Sequence, residues 1–543
     1  MPKFLLLIAL WLLSTLVNAS SLQPLIKQFI DNKPVGSRYE IENEYLFSSK
    51  VLPRFYTDRD FQAAWIEQQT LGKNGLDLLN YIRNIDSHGL RPEDYHLALI
   101  EKFVHKLLSF KQVSENDLVS LDMLLTDAFM LLGSQLYFGK VDPDKEGADW
   151  KIQRKEPELK LDMKLSDAIS AKSLPQHLDS LSPRNAAYWK LKELLAYYNK
   201  LEQYPWPNIK SAKSVKPYDT AKIIPEVRKR LMQFGYQLTD SLSDVYDDQL
   251  IARIKQFQKE RGLQADGAIG KGTLEALNRK PAQLSDDIRV NMERLRWLPM
   301  RTPDRFILVN IANFELDMIS MRDTIISLKA IVGKEYRKTP VFNRKMTYLV
   351  FSPTWTVPPT ILRNDVIPEI LKGPEYLQNK NMTLLRHDGT EVAYSDIDWS
   401  KVTKKNFPYM VRQNPGPENA LGRVKFMFPN EFNVYIHDTP TRGLFAKEER
   451  ALSSGCVRVE RPFDLAVKLL ADMPEWTDER ISKAMNRDTE LRVNLKTPID
   501  VVLIYLTAWT DGNNRFHNRK DIYKRDKMVL NALNQKPTRR QVR

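Results

Sequence analysis

Hydrophobic positions in the first part of the chain recur with the period of a helix. In "LDLLNYIRNIDSHGL", Leu78, Ile82 and Ile85 share one helical face and the pattern ends at Gly89, while the longer run "NDLVSLDMLLTDAFMLLGSQLYFG" ends at Gly139. Residues 20–202 are therefore predicted to form a helical region. Its histidines lack the spacing of metal ligands and are predicted to face solvent or to cap helices: His88, His96, His105 and His177.

A segment rich in Pro, Lys and Ser follows at residues 203–219 and is predicted to be a linker. Beyond it, residues 220–280 contain three short apolar stretches at helical spacing, such as Val227 with Leu231, separated by turns that contain glycine. This pattern predicts a small three-helix domain.

From residue 286 onward the hydrophobic period shortens to that of strands. Segments such as "RFILVNIANFELDMIS", "TIISLKAIVG" and "PIDVVLIYLTAW" alternate or run apolar over short β-branched stretches. Residues 286–511 are predicted to form a mostly β domain, in which the polar stretch 372–417, without clear strands, is an insertion or lid. Residues 512–543 are predicted to be a basic, partly helical tail, for docking to an anionic surface or for solubility. The predicted fold class is multidomain α+β.

Length and charge narrow the class of protein. The chain has 543 residues, too many for one hydrophobic core, and a formal net charge of +14. A basic surface favours an anionic polymer or lipid headgroups as partner, with a solvated surface that has no specific partner as the alternative. The sequence has no run of five or six basic residues and no recognised nucleic-acid motif, which argues against nucleic acid.

The first residues have the pattern of a secretory signal. Lys3 precedes the apolar run "FLLLIALWLLSTLV", and "VNAS" offers a small-residue cleavage site after Ala19. Residues 1–19 are therefore predicted to be a signal peptide that is removed on export. The alternative is an uncleaved N-terminus that associates with the membrane.

Cys456 is the only cysteine in the chain, and it follows Gly455 in "RALSSGCVRV". An unpaired cysteine in an exported protein suggests an intermolecular bridge or a reactive thiol. His437 ends the apolar run "NVYIH" one loop earlier and could serve as the base that such a thiol needs. Without further information, a small buried thiol and a satisfied polar histidine account for the same residues.

The sequence resembles two known families. Residues 223–278 are similar to three-helix peptidoglycan-binding domains, on these positions: Phe257, Gln258, Gly262, Leu263, Asp266, Gly267, Gly270, Thr273 and Leu277. "HDTP" followed by "RALSSGCVRV" resembles the signature of L,D-transpeptidases, on these positions: His437, Ser453, Ser454, Gly455, Cys456 and Arg458. "SPTWTVPPTI" and "NPGPENALGRVKFMFPN" are similar to segments of the large subgroup that joins a helical scaffold, a peptidoglycan-binding domain and a catalytic domain. Ser352 departs from the asparagine expected there.

The resemblance assigns roles to the residues around the cysteine. Cys456 would be the nucleophile and His437 the base, and backbone N–H groups at Gly455 and Cys456 would form an oxyanion hole. Ser454 would orient the loop or assist that hole, the alternative being a turn hydroxyl bonded to nearby backbone. Three residues would bind substrate: Arg458, Tyr435 and Trp355. The alternative for Arg458 is a structural ion pair, for Tyr435 packing in the core, and for Trp355 simple burial.

The family implies a periplasmic, cell-wall-associated transferase of peptidoglycan biosynthesis with a part in cell shape. It would release D-alanine from a tetrapeptide stem, form a thioester and make 3-3 cross-links, with no metal or organic cofactor. Carbapenem-type β-lactams would acylate the same cysteine. Two alternatives remain: another acceptor, either water in a carboxypeptidase or a lipoprotein lysine in an anchoring ligase, or a non-catalytic scaffold that binds the cell wall.

Overall fold

The structure is a computed structural model that describes residues 22–33, 38–109, 113–144, 149–152, 159–373, 375–404 and 406–537. The predicted signal peptide at 1–19 and the last part of the predicted tail, 538–543, lie outside these ranges. Within them, no helix combines the length and the apolarity that crossing a membrane requires.

The N-terminal region is helical, as its hydrophobic period predicts. Its helices are α1 Leu22–Asp31, α2 Leu52–Asp58, α3 Lys73–Arg83, α4 Leu97–Leu108, α5 Glu115–Phe138, α6 Leu161–Ser170, α7 Leu174–Leu181 and α8 Ala186–Leu201. Its short strands are β1 Glu40–Ile41, β2 Glu44–Tyr45, β3 Ile66–Glu67, β4 Thr70–Leu71 and β5 Trp150–Lys151. Most of the core surrounds α5, which is apolar on nearly all sides and therefore almost wholly buried. Ser114 and Asp117 cap its start reciprocally, and it ends at Gly139.

Two histidines of this region are buried rather than solvent-facing, although His96 lies at the N-cap position of α4, where its side chain makes no capping hydrogen bond. His88 is 1% exposed, and its Nδ1 lies 2.9 Å from the hydroxyl of Tyr188. His96 is 4% exposed, and its Nε2 lies 2.8 Å from Oδ2 of Asp127. The sequence did not reveal this burial because the polar partners of the two histidines lie far away along the chain. The spacing between histidines gives no information about such partners.

The last helix of the region, α8, packs on the C-terminal domain. Its buried residues Tyr188, Leu191, Leu195 and Tyr198 belong to the core of that domain. Strand β5 also pairs in parallel with a strand of the C-terminal sheet. The N-terminal region and the C-terminal domain are therefore joined by shared packing.

The predicted three-helix domain has helices α9 Ile224–Gln233, α10 Asp248–Glu260 and α11 Lys271–Leu277 around a core of its own. Gln258 organises its central turn: its Oε1 accepts from the backbone N–H of Gly267 at 2.8 Å, and its Nε2 donates to Oδ1 of Asp266 at 3.0 Å. Gly267 has φ +81°, a conformation that favours glycine. Two positions of the peptidoglycan-binding motif, Gln258 and Gly267, are thus joined in one hydrogen-bonded turn.

The C-terminal domain is mostly β, as predicted. Its strands are β6 Arg305–Asn310, β7 Glu315–Ser320, β8 Asp323–Gly333, β9 Val341–Phe351, β10 Trp355–Thr356, β11 Met382–Leu385, β12 Glu391–Val392, β13 Met410–Gln413, β14 Val424–Met427, β15 Ile436–His437, β16 Ala451–Ser453, β17 Val457–Val459, β18 Leu491–Ile504, β19 Ala508–Thr510 and β20 Phe516–Asn518. Its helices are α12 Pro281–Arg296, α13 Pro359–Ile361, α14 Ile367–Lys372, α15 Tyr376–Asn379, α16 Pro462–Leu469, α17 Asp478–Ala484 and α18 Asp526–Asn534.

The main sheet places two loops side by side. Its order is β14-β15-β17-β8-β7-β6-β18-β9-β5, and a further pairing of β14 with β9 closes it on itself. Strands β15 and β17 are second and third in this order and run parallel. The segments that end in His437 and begin after Cys456 are therefore neighbours.

Residues 355–413 form a second sheet, which corrects the prediction of a stretch without clear strands at 372–417. The order of this sheet is β10-β13-β11-β12, and it has a separate core that includes Val357, Ile370 and Val411. Its strands are two to four residues long, too short for alternation to stand out in sequence. The insertion begins earlier than predicted, at the strand that carries Trp355.

The predicted basic tail is also corrected, because most of it packs on the C-terminal domain. Strand β20 pairs with β19, and helix α18 buries Val529 and Leu533 in the same core as the main sheet. Tyr523 is 1% exposed between them. Residues 516–534 are thus a structural part of the domain.

Candidate active site

Four side chains share one face of two parallel strands. Ile436 pairs with Val457 and His437 with Arg458, and the N–H of Val457 donates to the carbonyl of Tyr435 at 3.1 Å. Because alternate residues of a strand point to the same face, this register places Tyr435 beside Cys456 and His437 beside Arg458. The thiol and the imidazole are diagonal neighbours in that group.

Cys456 follows a tight glycine turn. Gly455 has φ +122°, which disfavours side chains, and it connects β16 to β17. The hydroxyl of Ser453 spans this turn: it accepts from the N–H of Gly455 at 3.1 Å and donates to the carbonyl of Cys456 at 2.6 Å. The thiol is half-buried, with its Sγ 3.7 Å from the carbonyl oxygen of Asn433.

The turn leaves one N–H group available near the thiol. The N–H of Gly455 is bonded to Ser453, whereas that of Cys456 donates no hydrogen bond within the described part of the chain. Of the two donors predicted for an oxyanion hole, the Cys456 amide is therefore the one that is free to bind an oxyanion.

The resting thiol is protonated. Burial raises the pKa of Cys456, while hydrogen bonding with Tyr435 and the charge of Arg458 oppose that rise. Burial and the charge of Arg458 lower the pKa of His437 to about 3, against a smaller opposing effect of the backbone at Asp438 and Leu421. The site therefore holds a neutral thiol and a neutral imidazole, so the imidazole is in the form that can accept a proton.

His437 is 4% exposed, and its Nδ1 is buried without a hydrogen-bond partner among the described residues. Asp438 does not orient the ring through its carboxylate, as the alternation of side chains along a strand predicts. Its Oδ2 accepts from the N–H of Arg423 at 2.8 Å and its Oδ1 from Nη2 of Arg442 at 2.7 Å. Asp438 thus anchors the loop before β14.

Arg458 forms no ion pair within the described residues, so the structural ion pair left open for it by the sequence is not made. Its Nε is buried without a hydrogen-bond partner there, and burial lowers the pKa of the guanidinium. A half-buried cation beside a thiol, without a carboxylate of its own, is suited to a carboxylate that a substrate supplies.

Tyr435 and Trp355 extend the site toward the insertion. The ring of Tyr435 lies 5.6 Å from that of His437 at 61°. Burial and the neighbouring Cys456 raise the pKa of Tyr435, while Trp355 opposes the rise through a hydrogen-bonding interaction. Both rings are half-buried, so each keeps a surface that a ligand can contact. Nearby, the Ser352 hydroxyl donates to the carbonyl of Ala484 at 3.0 Å.

Sequence reasoning did not identify two polar residues of the loop between β8 and β9. Nη1 of Arg337 donates to the exposed hydroxyl of Ser454 at 2.9 Å and to Oδ2 of Asp365, in the insertion, at 2.9 Å. Thr339 donates from Oγ1 to the carbonyl of Gly455 at 2.7 Å. The segment "GKEYRKTPV" has no motif that marks it, and both residues reach the turn through the fold alone.

Among the described residues, no group of three or more His, Cys, Asp and Glu side chains could hold a metal ion.

Comparisons with known proteins agree with this architecture. Residues 304–499 match the family model of the L,D-transpeptidase catalytic domain, so the C-terminal domain is of that class. Residues 50–195 match the model described as "Scaffold domain", and residues 220–277 the one described as "Putative peptidoglycan binding domain". The three matches lie in the order that the resemblance in the sequence indicates: a scaffold domain, a peptidoglycan-binding domain and an L,D-transpeptidase catalytic domain.

One relative is a protein of Haemophilus influenzae (strain ATCC 51907 / DSM 11121 / KW20 / Rd) described as "Putative L,D-transpeptidase". It is 34% identical over 293 residues, which are 53% of this chain and 58% of the relative, so the match spans little more than half of the relative's length.

Two solved structures are also similar. An L,D-transpeptidase of Xylanimonas cellulosilytica DSM 15894 is 13% identical, covering 54% of this chain and 99% of that one, with a TM-score of 0.17. An L,D-transpeptidase of Stackebrandtia nassauensis is 13% identical, covering 55% and 97%, with a TM-score of 0.21. Scores this low carry no argument, so the assignment of the domains rests on the sequence matches.

Proposed function

We propose that this chain is an L,D-transpeptidase that makes 3-3 cross-links between peptidoglycan stems through a thioester on Cys456. One observation carries the proposal: Cys456 ends a glycine turn beside the strand that bears His437, within the domain that matches the L,D-transpeptidase catalytic model. Covalent acyl transfer needs a nucleophile and a base, and a thiol and an imidazole that face the same side of two paired strands can supply them.

In the first half-reaction the donor is a tetrapeptide stem that ends in D-alanine. His437 takes the thiol proton as Sγ of Cys456 attacks the carbonyl carbon of the third stem residue, and the carbonyl oxygen becomes an oxyanion. The Cys456 N–H stabilises that oxyanion. The C–N bond then breaks, His437 returns the proton to the leaving amine, and D-alanine departs from a thioester.

In the second half-reaction the side-chain amine on the third residue of another stem attacks the thioester. His437 accepts the proton that the amine loses, the C–S bond breaks, and the proton returns to the thiol. Because the pKa of His437 is lowered to about 3, its ring is uncharged before each attack and has a free position for the proton. Arg458 supports donor binding, since stem peptides carry carboxylates and this guanidinium has no protein carboxylate within the described residues.

The same proposal covers the place of action. The N-terminal signal pattern, the net charge of +14 and the peptidoglycan-binding match support export to the periplasm and association with the cell wall. There the enzyme contributes to cell-wall synthesis and cell shape, and carbapenem-type β-lactams acylate Cys456. A lone cysteine suits an oxidising compartment, because a second one could trap the nucleophile in a disulfide.

The test is intact-protein mass spectrometry of the chain from residue 20 after incubation with a disaccharide tetrapeptide, with Cys456→Ala alongside. The expected result is a mass gain equal to a thioester adduct in the wild type alone, together with a soluble dimer of stems. A tripeptide product without dimers would show that water, rather than an amine, is the acceptor, and that the protein is a carboxypeptidase. A folded wild type that leaves both protein and substrate unchanged would overturn the catalytic proposal in favour of a wall-binding scaffold.

A further inference from the structure

The loop between β8 and β9 lies against the turn at Ser454 and Gly455 that precedes Cys456, called here the nucleophile turn, and a buried hydroxyl holds it there. Thr339 is 0% exposed. Its Oγ1 donates to the carbonyl of Gly455 at 2.7 Å and accepts from the N–H of Gly333 at 2.9 Å. Both hydrogen bonds of this hydroxyl are therefore made by backbone groups, one of them in the residue before the cysteine.

Tyr523, from the C-terminal segment, fixes the same loop from the other side. Its hydroxyl donates to the carbonyl of Gly333 at 2.6 Å and accepts from the N–H of Thr339 at 3.1 Å. Its ring stacks on Tyr505, with centroids 5.4 Å apart at 12°. Four hydrogen bonds thus connect the segment after β20 to the turn that presents Cys456.

These bonds bear on the oxyanion donor because of peptide geometry. The carbonyl of Gly455 and the N–H of Cys456 belong to one planar trans peptide and point in opposite directions. A group that fixes the carbonyl therefore also fixes the direction of the N–H. Glycine imposes little preference of its own on this plane, so its orientation depends on such external contacts.

Ser453 and Thr339 divide the control of the turn between them. Ser453 bonds to the N–H of Gly455 and to the carbonyl of Cys456, the groups on either side of the peptide in question. The carbonyl of Gly455 is the group that Ser453 leaves unbonded, and Thr339 bonds to it. No other side-chain hydroxyl among the described residues bonds to that carbonyl.

We infer that Thr339 and Tyr523 are positioning residues that aim the N–H of Cys456 at the oxyanion formed during acylation. The inference rests on the proposed acyl transfer at Cys456. It predicts that removing the Thr339 hydroxyl slows attack on a carbonyl without slowing attack by the same thiol on a saturated carbon, because only the first reaction forms an oxyanion.

The experiment compares these two reactions in the same variants of the chain from residue 20. Acylation by the disaccharide tetrapeptide and by a carbapenem is followed by intact mass, and alkylation by iodoacetamide measures the thiol alone. Thr339→Val removes the hydroxyl at nearly constant volume, and Thr339→Ser restores it. Thr507→Val is the matched control, since Thr507 is also 0% exposed and its hydroxyl bonds to Asp526 at 2.7 Å, away from the turn.

Thr339→Val is expected to acylate on the order of 10²-fold more slowly, the loss typical of a misplaced oxyanion donor. Its alkylation rate and the donor concentration for half-maximal acylation are expected to stay within about twofold of the wild type, as are all rates of Thr339→Ser and Thr507→Val. Equal slowing of acylation and alkylation, or no slowing, would overturn the inference.

Tyr523→Phe keeps the stacked ring and removes only the hydroxyl, so it provides a second variant if Thr339→Val does not fold. The same split between the two rates is expected, and its absence in a folded Tyr523→Phe protein counts against the inference. A wild type that the carbapenem acylates and the tetrapeptide does not would overturn the proposed function alone, since the carbapenem still tests the positioning. A wild type that neither probe acylates overturns both.

Discussion

His437 and Arg458 are register partners on the parallel strands β15 and β17, with both side chains on the same face of the sheet. The guanidinium acts on both the imidazole and the thiol: it lowers the pKa of His437, after burial, and it opposes the burial that raises the pKa of Cys456. One residue therefore shifts both groups in the same direction, toward their deprotonated forms.

Replacing Arg458 with glutamine is expected to raise the pKa of both partners. The alkylation of Cys456 by iodoacetamide should then reach half of its maximal rate at a higher pH than in the wild type, and the pKa of His437 should rise from about 3 while burial still holds it below its ordinary value. Arg492→Gln is the control, because Arg492 lies on β18 with its guanidinium 3.8 Å from the ring centre of Tyr348. An unchanged pH profile in Arg458→Gln would contradict the assigned influence.

Arg337 connects the insertion to the nucleophile turn, and Arg337→Met is expected to loosen that connection. Hydrogen exchange in residues 359–372 should speed up about fivefold, the effect of losing about 1 kcal/mol from a partly exposed ion pair and its hydrogen bonds. The control is Arg344→Met, which breaks a similarly exposed pair with Glu431 away from the insertion. Faster exchange of the whole domain, rather than of this segment, would show a general loss of stability.

Leu533 tests whether the C-terminal segment is part of the domain core. It is 1% exposed, so Leu533→Ala should lower the free energy of unfolding by about 2 to 5 kcal/mol. Met528→Ala, on the same helix at 40% exposure, should change it by less than about 0.5 kcal/mol. Urea unfolding measures both. Equal, small effects of the two substitutions would instead support the detached basic tail that the charge pattern suggests.

His96 makes the stability of the N-terminal region depend on pH. Burial disfavours its charged form, yet hydrogen bonds to Asp127 and Glu44 raise its pKa to about 9. Because this folded-state value is above the ordinary 6.5, the stabilisation is complete below pH 6.5 and is lost as pH rises through 9. Urea midpoints of the wild type should fall across this window, and those of His96→Gln should fall less. Parallel slopes in the two proteins would assign the dependence to other groups.

The sequence predicted those parts of the candidate site that carry a local pattern. The glycine before Cys456 and the strand that ends at His437 are local signals, and Cys456 lies in the turn that leads into β17, the strand that pairs with the strand of His437. Arg337, Thr339 and Tyr523 were beyond its reach, because each contacts the site through long-range packing and none belongs to a periodic pattern. For the helix Asp526–Asn534 the sequence indicated helical character but not its packing, because the surrounding positive charge favoured a tail although Val529 and Leu533 are buried.

The core of the C-terminal domain draws on residues from Val141 to Leu533. Strand β5 comes from before the three-helix domain and α18 from well after the cysteine, so the parts of this core are separated along the chain by nearly four hundred residues, on the order of twice the length of an ordinary domain. During synthesis, the surroundings of Cys456 cannot be completed until helix α18 has emerged from the ribosome. The thiol therefore gains its finished environment only after the chain has been synthesised beyond Leu533.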